Sequence, residues 1–215
     1  LVPVYHRALV RRSGLAGRVA VVNIGGVANI TLIGETSDLV AFDTGPGNAL
    51  IDDLVRERTG EAMDRDGRLS SAGAVDEMAL SALLDDPYFL EPPPKSLDRD
   101  AFSRAPVAKL STEDAAATLA AFTAHSIAAG IAAGGGADRI VVCGGGAHNP
   151  AILKMLGEAA ERPVETAEAL GWSVDFMEAQ AFAYLAARSV AGLPLTFPGT
   201  TGVDRPLTGG VLARP

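Results

Sequence analysis

The chain has 215 residues, 48% hydrophobic and 20% charged, which is enough for one or two domains with a real core and is the mix of a soluble globular protein. A formal net charge of -8 argues against nucleic acid and anionic membrane as main partners, yet leaves ATP open, because phosphates are held by local backbone amides and a metal rather than by global charge. A single cysteine, Cys143, excludes an intrachain disulfide and suits a reducing compartment, and no apolar run is long enough to span a bilayer without glycine or charge interruptions.

Residues 19–23 form a short apolar run that predicts a buried strand, and Gly25-Gly26 a turn. Residues 27–33 give a second strand, completing a hairpin, and residues 39–42 a third, closed by Asp43. Gly45-Pro46-Gly47 reads as a loop, with a helix starting near Asn48 whose Leu50, Ile51, Leu54 and Val55 fall at helical spacing. Residues 60–110 are less regular. They hold a short helix at about 75–84 and then Pro92-Pro93-Pro94, an extended spacer that cannot be helix interior, and read as an insertion on the core.

Ser111 is placed to cap the next helix, with Asp114 in its first turn. Leu119, Phe122, Ile127 and Ile131 carry its apolar stripe to about Ala133, where Gly134-Gly135-Gly136 ends it. Residues 139–143 predict a strand, Gly144-Gly145-Gly146 a turn, and Asn149 or Pro150 the start of a helix to about Ala160. A short strand at 163–166 follows. Asp175 then caps a last helix with Phe176, Phe182 and Leu185 on its core face, and the tail after Gly192 is loop. Periodicity gives an α/β fold with a mixed sheet. Three strands able to pair antiparallel, followed by alternating strand and helix, is the order of the ribonuclease H-like domain, with five strands and helices on both faces. Actin-type ATPases use two such domains with nucleotide between them.

Four segments could carry chemistry. In the first, Gly25 and Gly26 let backbone N–H groups approach a phosphate, with Asn23, Asn29 and Thr31 as neutral flanking donors; an ordinary Gly-Gly hairpin has the same spacing. In the second, Asp43 closes a strand ahead of Gly45, Gly47 and a helix start whose N–H groups could hold an anion, while Asp43 could accept a hydroxyl hydrogen bond or hold a metal-bound water; Asp43 and Asn48 also suit a turn and a cap. In the third, Gly144, Gly145 and Gly146 bare a flat backbone surface for an adenine ring or a phosphate ahead of His148 and Asn149. In the fourth, Asp175 and Glu178 have the spacing of a capping pair, or Glu178 faces a cleft and binds sugar. Neither the Walker A spacing nor the dinucleotide Gly-x-Gly-x-x-Gly is present, which disfavours a dinucleotide-dependent oxidoreductase. His6 and His125 have no metal-ligand spacing, so no protein metal site is read from the chain; Arg7, Arg11 and Arg12 read as a solvated face, and Trp172 as a ring-stacking or packing group.

Residues 23–31 (NIGGVANIT), 42–52 (FDTGPGNALID), 92–96 (PPPKS), 143–149 (CGGGAHN) and 175–182 (DFMEAQAF), in that order, resemble the anhydro-N-acetylmuramic acid kinase family over nearly the whole chain. The resemblance implies an ATP-dependent, cytoplasmic sugar kinase of peptidoglycan recycling. Such an enzyme opens the 1,6-anhydro ring with water and places the γ-phosphate on the freed 6-oxygen, with Mg²⁺ bridging the phosphates. It places Gly25, Gly26 and Asn29 in the second phosphate loop and Gly144, Gly145, Gly146 and Asn149 on the adenosine side. Asp43, Asn48 and Glu178 would face the cleft. It also implies that residues 1–215 are the C-terminal nucleotide-binding domain, with the N-terminal domain, the first phosphate loop and the water-activating aspartate lying elsewhere. No catalytic residue would then sit in this chain, and alone it would be inactive. A homodimer is a possible assembly, and a free-standing nucleotide-binding module is the competing reading. Asp98-Arg99-Asp100 departs from the family's usual Thr-Gly-Arg-Glu.

Overall fold

A computed structural model describes residues 1–34, 39–174 and 176–213. The strands are β1 (Val19–Ile24), β2 (Val27–Ile33), β3 (Leu39–Pro46), β4 (Arg139–Cys143) and β5 (Val164–Thr166). They form one sheet in the order β3-β2-β1-β4-β5. β2 runs antiparallel to β1 and β3, while β1, β4 and β5 run parallel. That order, with one reversed strand, is the ribonuclease H-like arrangement read from the sequence. β3 extends through Gly45 and Pro46, where a loop was expected.

Successive side chains of β1 leave the sheet on opposite faces, and both faces are covered, which is why this strand is apolar throughout. Ala20, Val22 and Ile24 face the larger core, built with α2 (Ala49–Thr59), α3 (Arg68–Ala72), α4 (Glu77–Leu84), α5 (Thr112–Ala133) and α6 (Pro150–Ala160). Val19 and Val21 face the smaller core, shared with α1 (Pro3–Arg12) and α7 (Met177–Val190). A single turn, α8 (Pro198–Thr201), and a bridge between Thr196 and Leu207 give order to a tail expected to be loop. Helix α5 is long and apolar enough to cross a membrane, but 72% of its most apolar stretch is buried inside the protein, so it is the core helix. Ser111 caps it by accepting the Asp114 amide at 3.0 Å, as the sequence indicates.

The 60–110 segment is integrated into this core. Leu69, Leu80, Leu83 and Val107 are buried with the sheet residues. Phe89 and Phe102 stack at 5.5 Å, and both meet Phe122 of α5 edge-on, at 5.9 and 5.3 Å. Such pairs add about 0.5–1.5 kcal/mol each beyond the area they bury.

Two expectations are corrected. Helix α1 was read only as a charged, solvated stretch, yet Val4, His6, Leu9 and Val10 are buried along it. On α7 the buried face is Met177, Ala181 and Leu185, whereas Phe176 and Phe182 are 65% and 64% exposed. The expected cap Asp175 lies outside the described residues. Trp172 is a packing anchor, buried in the smaller core with its Nε1–H donating to Ser13 Oγ at 2.9 Å.

Candidate functional site

Parallel strands of such a sheet end on one edge, and that edge is where the loops free to meet a ligand collect. Here it gathers the ends of β1, β3 and β4 together with the β1–β2 turn. A cavity of about 400 Å³ opens there, lined by Val2, His6, Asn23, Gly25, Asn29, Gly144, Gly145, Val174, Met177 and Glu178. A second, of about 370 Å³, shares Gly145 and is lined further by Asn48, Ile51, Asp52, Met63, Asp64, Arg65, Asp66, His148 and Asn149.

The glycines allow this crowding. Gly144 has φ +78° and would carry any Cβ 2.5 Å from Asn23 Oδ1, so the turn after β4 can lie against the end of β1 only without a side chain. A Cβ on Gly47 would overlap the carbonyl oxygen of Gly25 and lie 3.0 Å from the Val27 carbonyl carbon. Thr123 of α5 holds the same loop, donating its hydroxyl to Gly47 O at 2.9 Å.

This contact narrows one expectation, that the amides at the start of α2 could hold an anion. The Gly47, Asn48 and Ala49 N–H groups leading into α2 are spent inside the protein. Asn48 N–H donates to Gly25 O at 2.7 Å, and the Gly47 and Ala49 amides to Gly26 O at 2.9 and 3.3 Å. Nor does the Asn48 side chain cap the helix. It lies against the β4–α6 turn, where a Cβ on Gly145 would be 3.4 Å from its Nδ2 and one on Gly146 3.3 Å from its Oδ1.

Of the residues singled out in the sequence, Asn23, Gly25, Asn29, Gly144, Gly145 and Glu178 line the first cavity, and Asn48, Gly145 and Asn149 the second. Gly26, Thr31, Asp43, Gly45, Gly47 and Gly146 line neither. Asn149 is committed to capping α6, its Oδ1 accepting the Ala151 and Ile152 amides at 3.0 and 3.3 Å. Gly45 is a packing glycine inside β3, where a Cβ would sit 2.5 Å from Ser126 Oγ of α5. Asp43 ties the 60–110 segment to the sheet. Its Oδ2 accepts the Leu97 amide at 2.8 Å and its carbonyl oxygen the Tyr88 hydroxyl at 2.5 Å. Burial raises its carboxyl pKa, and the Leu97 hydrogen bond opposes that rise.

Sequence reasoning missed His6. It is 2% exposed, lines the first cavity, and its Nδ1 meets Thr31 Oγ1 at 2.9 Å. Thr31 thus acts from behind the cavity wall. Burial lowers the His6 pKa to about 4, so the ring is neutral at pH 7. The available signal was a polar residue on the apolar stripe of Val2, Leu9 and Val10. Asp52 was missed as well: half-buried at the second cavity, its carboxyl is pushed up to about 6 by burial, against the pull of Arg56. Cys143 is buried and its thiol is pushed up to about 12, which fits a packing residue. Among the described residues no three His, Cys, Asp or Glu side chains come together as a metal cage.

The strand order and the glycine turns gathered where the parallel strands end define a ribonuclease H-like α/β domain. A family model for anhydro-N-acetylmuramic acid kinase matches residues 1–214, and the chain belongs to that family. Relatives bearing that name include those of Caulobacter vibrioides, 59% identical over 98% of this chain and 57% of the relative, and Methylobacterium nodulans, 54% identical over 100% and 58%. The chain therefore spans less than three-fifths of the length of these relatives. Among solved structures it is similar to xylulose kinase from Bifidobacterium adolescentis (TM-score 0.48, 16% identity, 83% of this chain and 40% of that one). It is also similar to the activator of 2-hydroxyisocaproyl-CoA dehydratase from Clostridium difficile with bound ADPNP (TM-score 0.44, 14% identity, 78% and 62%).

Proposed function

We propose that this chain is the nucleotide-binding half of a cytoplasmic kinase that uses ATP and water to convert 1,6-anhydro-N-acetylmuramic acid to N-acetylmuramic acid 6-phosphate. The observation that carries the reading is the meeting of Asn23, Gly25 and Asn29 with Gly144, Gly145 and Glu178 around one cavity. In this reaction water attacks C1 and the C1–O6 bond breaks. O6 takes the γ-phosphoryl group, ADP leaves, and the proton lost by water passes to a base.

The residues of this chain have supporting parts. Gly144 and Gly145 offer backbone N–H groups with no side chain in the way, and Gly25, whose own N–H donates to Val27 O at 3.1 Å, leaves the approach for a phosphate chain unobstructed. The second cavity, beyond Gly145, suits the nucleoside, with Asn48 and Asn149 in its wall. Glu178 and the two amides Asn23 and Asn29 suit sugar hydroxyls. Mg²⁺ would arrive on the phosphates and offset their charge; the described residues form no cage for it, and no side chain is assigned to hold it. No residue of this chain is assigned as the base, so residues 1–215 alone are expected to bind nucleotide weakly and not to turn over.

The test is a coupled assay of ADP release, with mass spectrometry of the product, on the intact enzyme supplied with ATP and the anhydro-sugar. Appearance of the 6-phosphate supports the reading. ATP consumption without phosphosugar, or no turnover, overturns it.

A further inference from the structure

We propose that His6 is a sugar-contacting residue, its Nε2 sharing a hydrogen bond with a hydroxyl of the bound saccharide. This rests on the kinase reading above and adds to it a residue from the opposite sheet layer to α6. The His6 ring is buried between α1 and β2, held at one nitrogen by Thr31. Its other nitrogen, Nε2, is buried and has no hydrogen-bond partner among the described residues, although the residue lines the cavity. A buried polar atom left unpaired costs about 1–3 kcal/mol, which a ligand hydroxyl recovers.

The cavity's chemistry selects a saccharide over a phosphate at this end. The glycines that would take phosphate lie on the β1–β2 and β4–α6 turns; the rest of the described lining holds no Lys or Arg and one carboxylate, Glu178, which repels phosphate. A neutral imidazole adds no positive charge to offset that repulsion. Asn23, Asn29, Glu178 and His6 together suit hydroxyl groups, and Val2, Val174 and Met177 suit the C–H faces of a sugar ring. The Thr31 hydroxyl can either donate to Nδ1 or accept from it, so Nε2 presents an N–H or a lone pair accordingly. A sugar hydroxyl serves both states, whereas a phosphate oxygen serves only the N–H.

Steady-state kinetics of the intact enzyme provide the test, comparing wild type, His6→Phe and His6→Gln. His6→Phe keeps a planar ring without the polar edge and is expected to raise KM for the anhydro-sugar roughly tenfold, the loss of one hydrogen bond, with KM for ATP within about twofold. His6→Gln, which restores a polar group near Nε2, is expected to recover most of that loss. An unchanged sugar KM in His6→Phe, or equal rises in both KM values, overturns the assignment of His6. Wild-type enzyme that fails to phosphorylate the anhydro-sugar overturns the kinase reading as well, so the two failures are distinct. A measurement on wild type guards against a variant that does not fold. In ¹⁵N-histidine spectra the His6 Nε2 resonance is expected to move on saturation with the anhydro-sugar and to stay in place with an ATP analogue alone. No movement with the sugar overturns the proposal.

Discussion

Gly47 lies so close to Gly25 that neither loop could keep its path if Gly47 carried a side chain. The contact joins the end of β3 to the β1–β2 turn, and three hydrogen bonds from residues 47–49 to Gly25 and Gly26 secure it. Gly47→Ala must push backbone against backbone, which no rotamer change relieves. The expected cost is about 3 kcal/mol or more, at the upper end for single substitutions, read as a drop in urea midpoint. A midpoint within experimental error of wild type would show that the two loops can separate freely.

Asn48 separates a structural from a ligand-binding role. Because its side chain makes no capping hydrogen bond, Asn48→Ala is expected to change stability by less than about 1 kcal/mol. Calorimetry of the intact enzyme with a non-hydrolysable ATP analogue is expected to show affinity reduced about tenfold. Full affinity would place the nucleoside away from the Asn48–Gly145 contact.

His6 also sets a pH dependence. Below about pH 6.5 the unfolded chain takes up a proton that folded His6 refuses until about pH 4. Its contribution to stability is therefore complete above pH 6.5 and is lost as the pH falls through that window, by at most about 3 kcal/mol. Asp52 acts in the opposite sense. Its folded pKa of about 6 lies above the ordinary 3.8, so its contribution declines as the pH rises through the same region. The wild type is thus to be compared with His6→Phe, in which only the histidine contribution is gone. Between pH 7.5 and pH 5 the wild-type urea midpoint should fall further than that of the variant, and parallel falls would contradict the buried neutral ring.

The 60–110 segment is held by aromatic stacking, so Phe102→Ala removes a ring that touches Tyr88, Phe89 and Phe122. The expected loss is about 2–3 kcal/mol, with faster amide exchange centred on residues 88–107. Exchange unchanged in that segment would mean that its aliphatic contacts and the Asp43 hydrogen bonds anchor it without the ring.

Particular residues show how far the sequence reached. β1 and β4 were legible because strands buried on both faces leave short, unbroken apolar runs, and α5 because Ser111 and Gly134-Gly135-Gly136 mark its ends. α1 was hidden by three arginines among its ten residues, Arg7, Arg11 and Arg12, which drew attention to charge and away from the Val4–Leu9–Val10 stripe. Phe176 and Phe182 were assigned to the core by residue type, yet the helix turns Met177, Ala181 and Leu185 inward. The glycine turns of the site were legible as turns, but which amides are spent inside the protein was not. Asn48 N–H meeting Gly25 O depends on two loops folding onto each other. His6 was invisible for the same reason, since its partner Thr31 lies 25 residues along the chain and on another element.

The central claim is that the bare backbone of Gly144 and Gly145, beside the Gly25-Gly26 turn, receives the phosphate chain. Backbone amide NMR of the intact enzyme, titrated with a non-hydrolysable ATP analogue, tests it most directly. The largest shifts are expected at Gly25, Gly26, Gly144 and Gly145, with the edge at β5 unaffected. Saturable binding that leaves those four amides unmoved and shifts residues elsewhere would contradict it.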